Sequence, residues 1–288
     1  MALNLKTFAT RTVTAAVFVA VLLSCICYNF ISFTTLFFVV SVWGLFEFYQ
    51  LAEKLGAKPY KWIGYITGAC IFGFGVVVNS NLALFYPVEK LFAFILILMF
   101  SIFIVALFDQ KPHTLVNIAY TLGGLIYAVL PFVILINIAY TFNHPQGSTY
   151  EHIAPYNFHY VLGIILLIWA SDVCAYLVGS FIGKNKLYER ISPGKTWEGS
   201  IGSALLTIGC SFVIAHWFPE LALKHWIAIA LLVCVFGTIG DLVESMMKRQ
   251  AGVKDSGRIM PGHGGILDRF DSLLFVSPFV YAYLTLIQ

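Results

Sequence analysis

Long apolar runs follow one another along almost the whole chain, separated only by short polar segments. About 20 consecutive apolar residues are enough to cross a bilayer as a helix. We predict nine such spans, with eight as the alternative count because the first two runs are nearly continuous. The predicted ranges are 12–30, 32–51, 62–81, 88–108, 114–140, 158–182, 197–218, 224–247 and 270–287.

The composition excludes most other classes of protein. Only 11% of the 288 residues are charged and 60% are hydrophobic, whereas a soluble domain carries about 25% charged residues. A soluble enzyme, a secreted disulfide scaffold, a disordered chain and a nucleic-acid-binding protein are therefore excluded. The sequence predicts an all-α polytopic membrane protein.

The positions of the basic residues predict the orientation. With nine spans and a cytoplasmic N-terminus, 15 of the 17 Lys and Arg residues fall in cytoplasmic segments, and only Lys90 and Lys224 fall outside. Cytoplasmic loops of membrane proteins carry such an excess of Lys and Arg. The C-terminus is then expected outside.

The charges also predict a division of the chain. Residues 184–198 and 241–271 hold 16 of its 31 charged residues. We expect a scaffold of about five helices over 1–157 and a catalytic region of about four helices over 158–288, with cytoplasmic loops at 183–196 and 248–267. The fifth span is long enough to tilt or break around Gly123, Gly124 and Pro131. Glu47, an acid within the second scaffold run, either reaches the interface or belongs to the site.

The end of the eighth span carries a polar stripe. Asp241, Glu244, Ser245 and Lys248 are spaced i, i+3, i+4 and i+7, so a helix places them on one face. A carboxylate in a span needs a cation, a metal or water to offset its burial. The alternative is a simple intrahelical ion pair at the membrane edge.

A glycine-rich segment follows, with His263, Gly264 and Gly265 ahead of Asp268 and Asp271. Glycines let a backbone approach a phosphate closely, and a helix N-terminus favours anions. The two acids can reach one metal ion or two adjacent ones, and oxygen ligands favour Mg²⁺. The alternatives are ordinary charge placement at a helix N-terminus and a turn role for His263.

Two further signals lie upstream. Ser192, Lys195 and Thr196 offer phosphate donors in a predicted turn before a helix; Glu189 stands where a P-loop requires glycine. The alternative is a basic anchor at the interface. Asp172 lies well inside the sixth span, where an acid indicates a functional site. Together these residues suit a metal-bound polyphosphate at the cytoplasmic face.

These motifs resemble the signature of the phosphatidate cytidylyltransferase, or CDP-diacylglycerol synthase, family. The resemblance covers mainly residues 170–275. Its motifs are Ser-Asp followed by Ala-Tyr at 171–176, Ser-Pro-Gly-Lys-Thr-Trp-Glu-Gly at 192–199, Gly-Asp-Leu-x-Glu-Ser at 240–245, Ser-x-x-Lys-Arg at 245–249, Lys-Asp at 254–255 and His-Gly-Gly-x-x-Asp-Arg-x-Asp at 263–271.

The resemblance implies that CTP and phosphatidic acid give CDP-diacylglycerol and pyrophosphate, at the cytoplasmic side of a cell (inner) membrane. It implies Mg²⁺ with K⁺ beside it, and a homodimer. Asp241 and Asp268 would ligate the metal with Asp271 and Asp172 nearby. Phosphates would be held by Lys195, Lys248, Arg249, Lys254 and Arg269.

Two other functions stay open at this stage. A CTP-dependent lipid kinase, such as a polyprenol kinase, would show a similar cytoplasmic metal site but release CDP. A transporter would use Asp172 and Asp241 for coupling ions, and it predicts polar residues in both halves of the membrane region. The first five runs are nearly free of such residues.

Overall fold

Helices make up most of the described chain, as the apolar runs predict. The structure is a computed structural model that describes residues 5–80, 82, 85–141, 156–257, 259 and 264–287; the side chains of residues 5–11 and 141 are not described. The helices are α1 (Leu5–Tyr28), α2 (Phe30–Lys54), α3 (Lys61–Val78), α4 (Val88–Phe108), α5 (Thr114–Gly124), α6 (Leu130–Thr141), α7 (His159–Ile182), α8 (Trp197–Trp217), α9 (Leu223–Gln250) and α10 (Leu267–Leu286). Two short antiparallel strands, β1 (Lys186–Tyr188) and β2 (Ser192–Thr196), lie between α7 and α8.

Seven helical segments of the described residues are long and apolar enough to cross a membrane. Of the nine predicted spans, the first has a shorter apolar stretch, Thr12–Tyr28. The last, α10, begins with Asp268, Arg269 and Asp271 and is not among the seven. The prediction of an all-α, multi-pass membrane protein is confirmed, while the count of nine and the orientation stay predictions.

The fifth span breaks where its glycines predict. α5 ends at Gly124, a π-helical turn covers Leu125–Val129, and α6 continues from Leu130. A π turn shifts the backbone hydrogen bonds away from the α-helical pattern. Here the Ser41 hydroxyl of α2 donates to the Ala128 carbonyl at 3.2 Å. The break is therefore stabilised from the neighbouring helix.

The chain divides into two units. The first comprises Met1–Tyr156 and Gln250–Arg269. Its core holds the fully buried side chains of Tyr49 and Phe37, and the Tyr49 hydroxyl donates to the Thr121 carbonyl at 3.0 Å. The predicted separation into scaffold and catalytic regions stays a prediction.

The second unit comprises Asn157–Arg249 and Phe270–Gln288. Trp226 is fully buried at its centre, and its indole N–H donates to the Phe218 carbonyl at 3.2 Å. Helices α7 and α8 are joined by Ser171 and Ser203, whose hydroxyl oxygens lie 3.0 Å apart. These contacts fix the helices that carry the charged residues of this unit.

Candidate functional site

Three carboxylates come together in the second unit. Asp241 and Glu244 extend from α9 and Asp271 from α10, and one carboxylate oxygen of each lies within 4.8 Å of the other two. A donor set made only of carboxylate oxygens suits a hard divalent cation such as Mg²⁺. The residues present therefore fit the metal that the sequence predicts.

Two lysines lie against this cluster. Lys195 Nζ is 2.6 Å from Asp241 Oδ2, and Lys248 Nζ is 2.6 Å from Glu244 Oε2. The Ser245 hydroxyl donates to Asp241 Oδ1 at 3.1 Å. An intrahelical ion pair accounts for Glu244 and Lys248 but not for Asp241, because Lys195 reaches Asp241 from β2. The cluster thus combines three acids with two cations.

The segment that carries Lys195 is a strand pair rather than the predicted turn. β1 and β2 pair antiparallel, and β2 runs directly into α8. The Thr196 hydroxyl accepts a hydrogen bond from the Gly199 N–H at 3.1 Å and so caps α8. Such a cap fixes where the helix begins. Lys195 therefore directly precedes the residue that caps α8.

Glu198, which sequence reasoning did not single out, anchors the beginning of the same segment. Its side chain accepts hydrogen bonds from the Lys184 and Asn185 N–H groups, each at 3.1 Å. It also accepts one from Asn185 Nδ2 at 2.7 Å. The signal that could have identified Glu198 is an acid at the second position of a helix, where the first N–H groups have no partner within the helix.

Gly240 lets α9 approach α10 closely at the cluster. A Cβ added there would lie 2.6 Å from the Asp271 carbonyl oxygen and 3.0 Å from Phe275 Cβ. Gly240→Ala therefore forces the helices apart, and we expect a loss of about 1–3 kcal/mol in stability together with reduced activity. Gly209→Ala in α8 is the control, since nothing lies within 4 Å of its added Cβ. Thermal unfolding in detergent compares the two; equal melting temperatures would contradict the close approach.

Asp172 lies in α7 and is exposed. It interacts electrostatically with Asp271, so the structure brings this predicted residue within range of the carboxylate cluster. Its predicted role in metal binding stays a prediction.

Asp268 belongs to the first unit, where it accepts hydrogen bonds from two residues that precede α10. Its Oδ2 atom accepts hydrogen bonds from the Ser256 N–H at 2.8 Å, the Ser256 hydroxyl at 2.9 Å and the Gly265 N–H at 2.7 Å. Gly264 has φ of +82°, a left-handed conformation that favours glycine. The predicted glycine pair therefore has a backbone role, and metal binding by Asp268 stays a prediction.

Glu47 of α2 is buried in the first unit, with 1% of its surface exposed. The expectation that it reaches the membrane interface is wrong. Its carboxylate accepts hydrogen bonds from the Ile266 N–H at 3.0 Å, the Leu267 N–H at 3.0 Å and the Ser256 hydroxyl at 2.9 Å. These bonds join α2 to the first turn of α10.

A cavity of about 660 Å³ lies beside Glu47 in the first unit. It is lined by the C-terminal half of α2 and by residues between 253 and 259, including Trp43, Lys54 and Lys254. Lys254 is a predicted phosphate-binding residue, whereas Lys54 was not singled out. The structure therefore places two lysines in the lining of a cavity large enough for a small ligand.

The remaining predicted substrate-binding residues differ in their exposure. Arg249 and Arg269 are exposed, Ser192 is half-buried, and His263 lies outside the described residues. The Thr196 and Ser245 hydroxyls make the bonds given above. Substrate contacts by all of these residues stay predictions.

Comparison with known proteins indicates the same family as the sequence motifs. A model of the cytidylyltransferase family matches residues 9–287. The chain is similar to proteins named phosphatidate cytidylyltransferase from Staphylococcus aureus (strain COL), at 50% identity over 125 residues, and Staphylococcus haemolyticus, at 48% over 122 residues. Each match covers 42% of this chain and 46% of the relative, so the chain spans about half the length of the curated relatives it matches. Because the family model covers almost the entire sequence, the chain belongs to the cytidylyltransferase family.

Proposed function

We propose that the protein is a phosphatidate cytidylyltransferase, which converts CTP and phosphatidic acid to CDP-diacylglycerol and pyrophosphate in phospholipid biosynthesis. The observation that carries the proposal is the cluster of Asp241, Glu244 and Asp271 with Lys195 and Lys248 against it. Family membership and the names of the relatives support the same reaction. The apolar helices are long enough to cross a bilayer, where a lipid substrate resides.

Asp241, Glu244 and Asp271 would hold Mg²⁺ through their carboxylate oxygens. A bound divalent cation supplies charge neutralisation for phosphate oxygens. The motif resemblance adds Asp172 and Asp268 to the predicted ligands and K⁺ as a second ion. Lys195 and Lys248 reduce the repulsion among the three acids, because each is ion-paired with one of them.

The reaction demands little covalent chemistry of the protein. An oxygen of the phosphatidate phosphate forms a bond to the α-phosphorus of CTP. The bond from that phosphorus to the oxygen bridging the α- and β-phosphates breaks, and this oxygen leaves as a terminal oxygen of pyrophosphate. The nucleophile is already an anion, so it needs no strong general base. Lys195 is the better placed to bind a phosphate, since 24% of its side chain is exposed and it extends from the end of β2.

The proposal includes the orientation of the chain. The distribution of Lys and Arg supports nine spans with the N-terminus and the charged segments in the cytoplasm of a cell whose inner membrane holds the protein. CTP then reaches the cluster from the cytoplasm and phosphatidic acid from the bilayer. A homodimer is proposed on the resemblance alone.

The test is substrate-dependent release of pyrophosphate by the purified protein in detergent micelles. We expect release to require CTP, phosphatidic acid and Mg²⁺ together, and to stop when diacylglycerol replaces phosphatidic acid, because diacylglycerol lacks the attacking phosphate. Release of CDP with a phosphorylated lipid would assign a kinase instead. A folded protein that releases neither product would contradict the proposal.

A further inference from the structure

We propose that Glu47 is a positioning residue, which holds Ser256 and residues 265–268, called here the Glu47-bound segment, so that Asp268 is presented in one orientation. The inference rests on the proposed function, in which Asp268 takes part in the reaction. It adds a residue from the second helix to machinery whose motifs all lie beyond residue 170. The contacts that carry it lie within the first unit.

The Glu47 carboxylate uses both oxygens on this segment. Oε1 accepts from the Ile266 N–H, and Oε2 accepts from the Leu267 N–H and the Ser256 hydroxyl. Residues 266 and 267 lie at the start of α10, where N–H groups have no partner within the helix. Glu47 therefore supplies from another helix the acceptor that a capping side chain normally supplies.

Ser256 links Glu47 to Asp268. Its hydroxyl oxygen lies 2.9 Å from Glu47 Oε2 and 2.9 Å from Asp268 Oδ2. A hydroxyl has one proton and donates to one carboxylate at a time, so the orientation of either acid influences the other. The Ser256 N–H also donates to Asp268 at 2.8 Å. A change in the position of Glu47 therefore affects Asp268 through Ser256.

Gly257 and Gly265 pack tightly against Glu47. A Cβ added at Gly257 would overlap Glu47 Oε1, and one added at Gly265 would overlap Glu47 Oε2. Glu47 is 1% exposed and Ser256 is 2% exposed, so both side chains are buried where they make these hydrogen bonds. A buried carboxylate is costly unless its hydrogen bonds are made. The segment and Glu47 consequently order each other.

The test compares Glu47→Gln with Glu53→Gln, the same substitution less than two turns later on α2. Glu53 is 43% exposed and pairs with Lys61 on the surface, so its loss leaves the buried network intact. The amide introduced by Glu47→Gln would place an NH₂ donor against N–H and O–H donors. We expect amide hydrogen exchange in a peptide covering 253–268 to speed up by about tenfold or more in Glu47→Gln, with Glu53→Gln equal to the parent.

The second readout is the Mg²⁺ requirement of pyrophosphate release. Outer partners of metal ligands alter metal affinity or activity by about 10- to 100-fold, so the Mg²⁺ concentration for half-maximal rate should rise by that factor in Glu47→Gln. A purely structural defect would lower the fraction of active protein and leave this concentration unchanged. That result, or exchange equal to the Glu53→Gln control, would overturn the proposal.

A milder variant covers the case in which Glu47→Gln does not fold. Ser256→Ala removes the bridging hydroxyl but keeps the backbone N–H bond to Asp268. Ser256→Ala should speed up amide hydrogen exchange and raise the Mg²⁺ concentration for half-maximal rate, each by a smaller factor than Glu47→Gln. Parental values of both would overturn the proposal. A parent protein that lacks the reaction would overturn the proposed function, and the exchange experiment alone would then decide whether Glu47 orders the segment.

Discussion

Asp241→Asn lowers the rate of pyrophosphate release by about a hundredfold or more, a loss typical of removing a group that stabilises developing charge. The substitution keeps the size of the side chain and removes its charge. It weakens the carboxylate cluster and takes the ion-pair partner from Lys195, 2.6 Å away. Because the Asp241 side chain is 33% exposed, the protein should still fold, and the loss should appear in the rate at saturating substrate.

The control for Asp241→Asn is Asp109→Asn. Asp109 pairs with Lys111 at 2.7 Å in the segment between α4 and α5, so it tests the same chemical change away from the cluster. We expect parental activity in this variant. Raising Mg²⁺ should restore part of the activity of Asp241→Asn. Near-parental activity in Asp241→Asn at ordinary Mg²⁺ would show that the cluster is not the site.

The second large effect concerns the buried pair of Glu244 and Lys248. The side chains are 0% and 11% exposed, and their charged atoms lie 2.6 Å apart. Lys248→Met leaves the Glu244 carboxylate buried without this cation, and breaking such a pair costs about 3–5 kcal/mol. The double variant Glu244→Leu with Lys248→Met should regain most of that stability, because apolar replacement of a buried pair is often close to neutral.

Activity should not follow stability in this series. The double variant lacks one carboxylate of the cluster and one cation, so we expect it to melt near the parent temperature and still be inactive. Glu53→Gln with Lys61→Met removes a surface pair and should cost at most about 1 kcal/mol. A double variant as unstable as Lys248→Met, or one with parental activity, would contradict this account of the pair.

The sequence predicts the helices of this protein well because a hydrophobic run in a bilayer must satisfy its own backbone hydrogen bonds, which a helix does. The predicted range 88–108 coincides with α4, and the break after Gly124 lies where the glycines place it. The strand pair before α8 was missed since three- and five-residue strands show no usable alternation, and Pro193 and Gly194 favour a turn. The predicted turn and the observed strand pair both place Lys195 close to the start of α8.

Site residues were predictable where their spacing is local. Asp241, Glu244 and Lys248 share a helix face by their separation alone, and the structure brings Asp271 to them. Glu47 was undecided because its partners are 209 to 220 residues further along the chain. Helical periodicity carries no information about such distant pairing. Only the folded chain shows that Glu47 of α2 accepts hydrogen bonds from the start of α10.

The most direct test of the central claim is the fate of labelled CTP. Purified protein in phosphatidic acid micelles with Mg²⁺ receives CTP labelled with ³²P at either the α- or the γ-phosphate, and the lipid product is separated. We predict that the α-label enters the lipid and the γ-label leaves in pyrophosphate, and that Asp241→Asn slows both by about a hundredfold or more. Entry of the γ-label into the lipid would contradict cytidylyl transfer and show phosphorylation of the lipid instead.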